Sequence, residues 1–243
     1  MTRLPLSPLV AGVVRLEAGA ARYLSRVLRL RSGDAIAVFD PKAGVSATAV
    51  VRVDGEQVEI EVGDTVAAPQ RAPLVLVQGY PKGDKLADVV RDATEIGATL
   101  VIPALCVRSV ARPGEDRAAA KQARLAKVAE EAARQCGRAE APVVLAPLPW
   151  VEAIAVARAH TEHGVVLWER ATIPFAPSAG PLAVCIGPEG GLEPAEVEAA
   201  EAVGFVSRSL GDTILRTETA ATVALGAAMV ARAGGLYASA RSD

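Results

Sequence analysis

Arg216 and Glu218 flank Thr217, directly ahead of the small-residue apolar segment Thr222-Val-Ala-Leu-Gly-Ala-Ala-Met229. An arginine there can offset developing negative charge and a glutamate can accept a proton. Two charges beside an apolar helix are costly unless they meet a ligand or each other. A plainer role also suits these residues, with Thr217 capping a core helix beside an ion pair. Leu210 and Gly211 set a glycine turn just before them, followed by Ile214 and Leu215. Some way upstream, the apolar run Leu182-Ala-Val-Cys-Ile186 passes into Gly187-Pro188-Glu189-Gly190-Gly191-Leu192-Glu193-Pro194. A strand, a glycine loop and a helix start in that order leave free backbone N–H groups at the carboxyl end of a strand, where open α/β sheets bind ligands. Glycines there let the main chain touch the ligand. An ordinary strand-to-helix turn uses the same residue types.

The elements that hold these loops can be read from periodicity. From Leu16 to about Val66 the chain reads as a short helix followed by β runs at Ala35 to Phe39, Val45 to Val53 and Val58 to Val62, with turns at Gly33-Asp34, Asp40-Pro41 and Asp54-Gly55. Ala67-Ala-Pro-Gln-Arg-Ala-Pro73 has the composition of a linker, which sets a boundary near residue 71. Beyond it apolar strands (Leu74 to Gln78, Leu100 to Leu105, Val143 to Leu145, Val165 to Trp168, Leu182 to Ile186) alternate with helices. The helices are expected from a cap at Asp84 to Ile96, and over Glu115 to Gly137, Val151 to Ala159, Pro194 to Ala202 and Thr217 to Arg232. Continuous apolar strands between helices predict a parallel sheet covered on both faces, an α/β domain.

Composition narrows the chemistry. The chain has 243 residues, 51% hydrophobic and 22% charged, which fits a globular protein of one large or two modest domains. The longest nearly apolar run, Thr219 to Ala231, is too short for a membrane span. Met1-Thr-Arg-Leu-Pro leads into no continuous apolar region, so a cytoplasmic location is expected. Cys106, Cys136 and Cys185 lack CxxC spacing and read as reduced thiols. His160 and His163 are the only histidines and no G-x-S-x-G elbow occurs, which disfavours a hydrolase triad, and no metal site is assigned. Neither G-x-x-x-x-G-K-[ST] nor G-x-G-x-x-G is present.

Net charge is −2, yet cations cluster. Residues 1–31 hold six arginines against the single acid Glu17, and residues 108–138 hold eight Lys or Arg against four acids. On helical spacing Arg22, Arg26 and Arg29 share one face. A solvated polar face explains either cluster, while two in one acidic chain point toward a polyanion. Aromatics are only 3%, against a base-stacking sheet.

The motifs I-G-P-E-G-G-L-x-x-x-E and L-G-x-x-I-L-R-x-E-T-A together closely resemble the RsmE family of 16S ribosomal RNA uridine N3-methyltransferases, in the SPOUT superfamily. Leu24-Ser-Arg-Val-Leu-Arg-Leu-Arg-Ser-Gly-Asp34, Lys82-Gly-Asp-Lys-Leu86, Thr94-Glu-Ile-Gly97 and Glu131-Ala-Ala-Arg-Gln-Cys-Gly-Arg138 extend the resemblance over nearly the whole chain. Tyr23 departs from it, standing where a histidine is expected.

The resemblance implies a PUA-like RNA-binding β-barrel over residues 1–71 and a trefoil-knotted α/β methyltransferase domain over 72–243. It further implies a homodimer that uses S-adenosylmethionine to methylate N3 of a uridine in the decoding region of 16S rRNA, on the assembled 30S subunit. Carried over by motif, the cofactor residues are Leu167, Gly187, Pro188, Glu189, Gly190, Gly191, Leu210, Gly211, Ile214, Leu215 and Arg216. Arg216 and Glu218 are the catalytic candidates, Arg216 for an imide anion, with Glu218 or Glu189 to accept the proton or to orient Arg216, so that the base is left unassigned. Arg22, Arg26, Arg29, Arg134 and Arg138 are the RNA-binding candidates. A same-fold enzyme acting on tRNA or 23S rRNA, a non-catalytic RNA-binding factor and a small-molecule binding protein with no RNA partner are the competing readings.

Overall fold

A computed structural model of the chain describes residues 2–40, 42–55, 57–67, 72–112, 114–177 and 179–239. Two compact units divide it, Met1–Gln70 with Ala133–Ala141, and Arg71–Ala132 with Pro142–Asp243. The linker boundary expected near residue 71 lies outside the described residues.

In the first unit, β3 (Ala35–Asp40), β4 (Val45–Asp54) and β5 (Gln57–Val62) form an antiparallel meander. Alternation sets its inner face: Ala47, Ala49 and Val51 are buried while Thr48, Val50 and Arg52 face outward. Three short strands carried too little pattern to be read from sequence: β1 (Arg3–Pro5), β2 (Gly12–Arg15) and β6 (Val66–Ala67). The order is β1-β3-β4-β5-β2, with β6 on β4. Its two ends, β1 and β2, do not pair with each other, so the expected barrel is not closed among the described residues.

The short helix is α1 (Ala18–Arg22), which widens into a π-helical turn over Tyr23–Val27, with Leu28 N bonded to Tyr23 O at 3.0 Å. Arg29 then takes φ 55°, in the left-handed region, so the helix has ended before it. The single face expected for Arg22, Arg26 and Arg29 is broken, because a π turn advances the register differently and Arg29 lies beyond it.

The second unit is built on parallel pairings throughout: β7 (Leu74–Gly79), β8 (Leu100–Leu105), β9 (Val143–Val144), β10 (Leu148–Pro149), β11 (Gly164–Leu167), β12 (Leu182–Ile186) and β13 (Val206–Arg208). The order is β10-β8-β7-β12-β11-β13, with β9 on β8. β7 and β12 are buried along their whole length because helices cover both faces. Val75, Val77, Ala183 and Cys185 pack with residues of α4 (Trp150–His160) and α5 (Pro194–Ala202). By strand alternation Leu74, Leu76 and Gln78 point to the opposite face, where α6 (Thr217–Ser239) lies on β7 and β12 and packs with α2 (Lys85–Ile96). Each fully buried Val or Leu here contributes about 1.5–3 kcal/mol.

The remaining helix, α3 (Glu115–Cys136), spans the division between the units. Asp84 occupies the N-cap of α2 but does not cap it with its side chain. Its carboxylate accepts from Arg124 at 3.0 Å and Lys121 at 3.3 Å instead, tying α3 to α2. No helix among the described residues is long and apolar enough to cross a membrane.

Candidate functional site

Segments leaving the carboxyl ends of β11, β12 and β13 converge on a cavity of about 470 Å³. Leu167 to Glu169 form one side, Ile186 to Leu192 a second, and Ser209 to Thr217 with Ala220 a third. Every cofactor candidate named from sequence lines it: Leu167, Gly187, Pro188, Glu189, Gly190, Gly191, Leu210, Gly211, Ile214, Leu215 and Arg216. The two loops are brought together because β12 and β13 lie on either side of β11.

The glycine loop is packed tightly from below. A Cβ at Gly79, the last residue of β7, would collide with the Pro188 main-chain nitrogen. At Gly190 a Cβ would lie 2.9 Å from the Arg108 Cβ, so this glycine admits a neighbouring side chain as well as any ligand. Arg108 itself donates to Gly190 O at 3.0 Å and to Glu193 Oε1 at 2.8 Å. Below the loop α5 starts with a capping box between Glu193 and Glu196, and Glu196 also accepts from Val107 N at 2.9 Å.

The third side is shaped by Ser209, whose hydroxyl donates to Gly211 O at 2.9 Å, and by Gly211 at φ 128°. Ile214 is 85% exposed, an unusual degree for an isoleucine beside a cavity. The main-chain amides of Leu210, Ile214 and Leu215 make no hydrogen bond to another described residue. This side therefore offers apolar surface with available N–H donors.

Charges at the rim are arranged around Lys85, the first residue of α2. Its ammonium lies 3.2 Å from Glu189 Oε1 and 3.3 Å from Glu218 Oε1. Hydrogen bonds and attraction from these carboxylates raise the Lys85 pKa. Glu189 also accepts from Lys82 N at 3.1 Å. Partial burial works against its charge, but its own amide, that of Lys82 and the Lys85 ammonium outweigh this and hold its pKa low. Arg216, by contrast, is exposed at the cavity and forms no ion pair among the described residues. Cys106 and Cys185 are buried, and burial pushes both thiols upward, away from nucleophile chemistry. Among the described residues no cluster of His, Cys, Asp or Glu is grouped to hold a metal.

The five arginines named as RNA candidates all belong to the first unit, because 133–141 groups there. Arg22, Arg26, Arg29 and Arg134 are exposed, whereas Arg138 is buried. The basic stretch of 108–138 is partly consumed internally. Arg108 braces the glycine loop, Arg112 donates to Cys106 O at 3.1 Å, and Lys121 and Arg124 bind Asp84.

Sequence reasoning did not single out Gln78, Gly79 or Lys85 as site residues, and it counted Arg108 only as a cation. The available signal was Gln78-Gly79, an amide and a glycine at the end of the apolar run Leu74 to Val77. Lys85 stands in the motif Lys82-Gly-Asp-Lys-Leu86, but its role depends on Glu189 and Glu218, far away in the chain.

A family model described as an RNA methyltransferase domain matches residues 68–229. The chain is 32% identical over 239 residues to ribosomal RNA small subunit methyltransferase E of Synechocystis sp., covering 92% of this chain and 75% of that protein. It is 30% identical over 217 residues to the enzyme of the same name from Bacillus subtilis, covering 84% of this chain and 85% of the other. Among solved structures, ribosomal RNA small subunit methyltransferase E from Neisseria gonorrhoeae bound to S-adenosyl methionine is similar at TM-score 0.71 and 28% identity, over 95% of this chain and 97% of that one.

Proposed function

This chain belongs to the ribosomal RNA small subunit methyltransferase E family, and on that premise we propose that it methylates N3 of a uridine in the decoding region of 16S rRNA, using S-adenosylmethionine. The assembled 30S subunit is the proposed substrate, in the cytoplasm, and a homodimer the working form. The observation that carries this reading is the cavity, where apolar surface, available main-chain donors and one uncommitted arginine meet.

These residues suit the cofactor. Leu167, Leu210, Ile214 and Leu215 would cover its adenine and ribose, while the main chain of Gly187 to Gly191 and of Leu210 to Leu215 would supply polar contacts. We take this three-sided pocket as the place of the trefoil knot. S-adenosylmethionine supplies a methyl group activated on a sulfonium, so the chain's main task is to bring uracil N3 into line with it.

Transfer of the N3 proton to solvent water leaves an imide anion. The Arg216 guanidinium is the group that would stabilise that charge. Glu218 is tied to Lys85, so in this reading it holds the rim in shape and is not the base. The N-terminal unit serves as the PUA-like docking module, with Arg22, Arg26, Arg29 and Arg134 toward phosphates. Arg138, being buried, supports that unit from within.

The test is incubation with labelled S-adenosylmethionine and, in parallel, 30S subunits lacking the modification, naked 16S rRNA, 23S rRNA and tRNA. Label is expected in the 30S subunit. Label only in tRNA or 23S rRNA would redirect the assignment, and RNA binding without transfer would indicate a non-catalytic factor.

A further inference from the structure

Gln78 is fully buried in the all-buried strand β7, where its neighbours Leu74, Val75, Leu76 and Val77 are apolar. An amide in such a place is costly unless its hydrogen bonds are met. Gln78 meets only part of them. Its Nε2 donates to Thr217 Oγ1 at 2.6 Å and to Gly79 O at 3.2 Å, while Oε1 has no hydrogen-bond partner among the described residues. Packing alone would favour leucine here.

The other end of this bond explains the amide. Thr217 opens α6 directly after Arg216, and its Oγ1 donates to Gly187 O at 2.6 Å. A hydroxyl has one proton and an amide NH₂ only donates, so the direction of the chain is fixed from Gln78 through Thr217 to Gly187. With one lone pair occupied by Gln78, the Thr217 proton is aimed at the Gly187 carbonyl. Gly187 begins the glycine loop and Thr217 ends the Leu210 to Arg216 segment, so this relay joins two sides of the cavity. Gln78 itself does not line the cavity.

Resting on the cofactor reading above, we propose that Gln78 is a positioning residue: by orienting the Thr217 hydroxyl it fixes the spacing between the two loops that hold S-adenosylmethionine. The amide is retained at the expense of core packing because that spacing depends on it.

Calorimetry and thermal melts on the full chain test this. Gln78→Leu should melt at or above the parent temperature, yet bind S-adenosylmethionine about tenfold more weakly, the size of one well-placed hydrogen bond. The KM for S-adenosylmethionine should rise to match, with kcat at saturation changed less than about twofold, as for lost ground-state binding. Thr217→Val should show the same loss and Thr217→Ser should restore affinity. Because both residues act through one chain, the Gln78→Leu/Thr217→Val double variant should lose no more than either alone.

Parent-like affinity in a stable Gln78→Leu protein, failure of Thr217→Ser to rescue, or additive losses would each overturn the proposal. Amide hydrogen exchange without ligand separates it from the functional reading. Exchange at 187–192 and 210–216 should rise together in Gln78→Leu, and unchanged exchange also overturns it. If the parent chain binds no S-adenosylmethionine while exchange still rises, the relay stands as a loop spacer and the cofactor reading is the part that fails.

Discussion

The Lys85 ammonium nitrogen stands 3.2 Å from Oε1 of Glu189, joining the start of α2 to the middle of the glycine loop. The same ammonium reaches Glu218 at the start of α6, so one side chain gathers three segments that are far apart in sequence. Lys85→Met should release both glutamates and loosen the glycine loop. Its side chain is 39% exposed, so the melting temperature should fall only slightly. Affinity for S-adenosylmethionine should fall severalfold in calorimetry. A parent-like affinity would confine Lys85 to the surface.

The clamp gives a defined pH response. The Glu189 pKa is lowered from an ordinary 4.5, so its contribution to stability is complete above that value and is lost as pH falls through the lower folded-state value. The Lys85 pKa is raised from 10.5, so its contribution is complete below that value and is lost as pH rises through the higher one. Between about pH 5 and pH 10 both are present. The gap in melting temperature between parent and Glu189→Gln should be constant across neutral pH and close in strong acid. A gap that widened in acid would contradict this placement of the charge.

The glycine loop responds to bulk on a predictable side. A Cβ at Gly190 meets Arg108 at 2.9 Å, so Gly190→Ala must push Arg108 away, and Gly190→Val must move the loop itself. S-adenosylmethionine binding should weaken in the first and be abolished in the second, with the far-ultraviolet circular dichroism unchanged. Full affinity in Gly190→Val would remove this loop from the binding site.

How far sequence alone reached depended on the range of the interactions. Leu182 to Ile186 and Pro194 to Ala202 were read with their observed bounds, because an unbroken apolar run and a proline at a helix's first turn are local signals. Two of the cavity's three sides were legible as glycine-bearing loops in short continuous motifs, whereas the individual cofactor residues, Leu167 among them, came from the family resemblance. β10 was not read as a strand, since two residues, Leu148 and Pro149, show no period. Asp84 looked like a cap, and only tertiary structure shows it spent on Lys121 and Arg124. Gln78, Lys85 and Arg108 gain their roles from partners more than 80 residues away, which no local pattern encodes.

Arg22, Arg26 and Arg29 are exposed in the first unit, Arg22 at the end of α1, Arg26 on the π turn and Arg29 just past it. Reversing all three to glutamate should weaken binding to 16S rRNA and reduce the magnitude of its salt dependence, since each lost phosphate contact lowers the slope of log affinity against log salt by just under about 1. Binding of S-adenosylmethionine should not change. Unaltered RNA affinity and slope would assign this surface to solvent.

The proposed function requires this cavity to deliver a methyl group to uracil N3, with Arg216 stabilising the anion. Its most direct test is nucleoside mass spectrometry on 16S rRNA from 30S subunits lacking the modification, treated with S-adenosylmethionine and either the parent chain or Arg216→Ala. The expected result is 3-methyluridine with the parent, and at least about a hundredfold slower formation with Arg216→Ala at saturating S-adenosylmethionine. A methyl group on a different atom or nucleoside, or 3-methyluridine formed at the parent rate by Arg216→Ala, would contradict it.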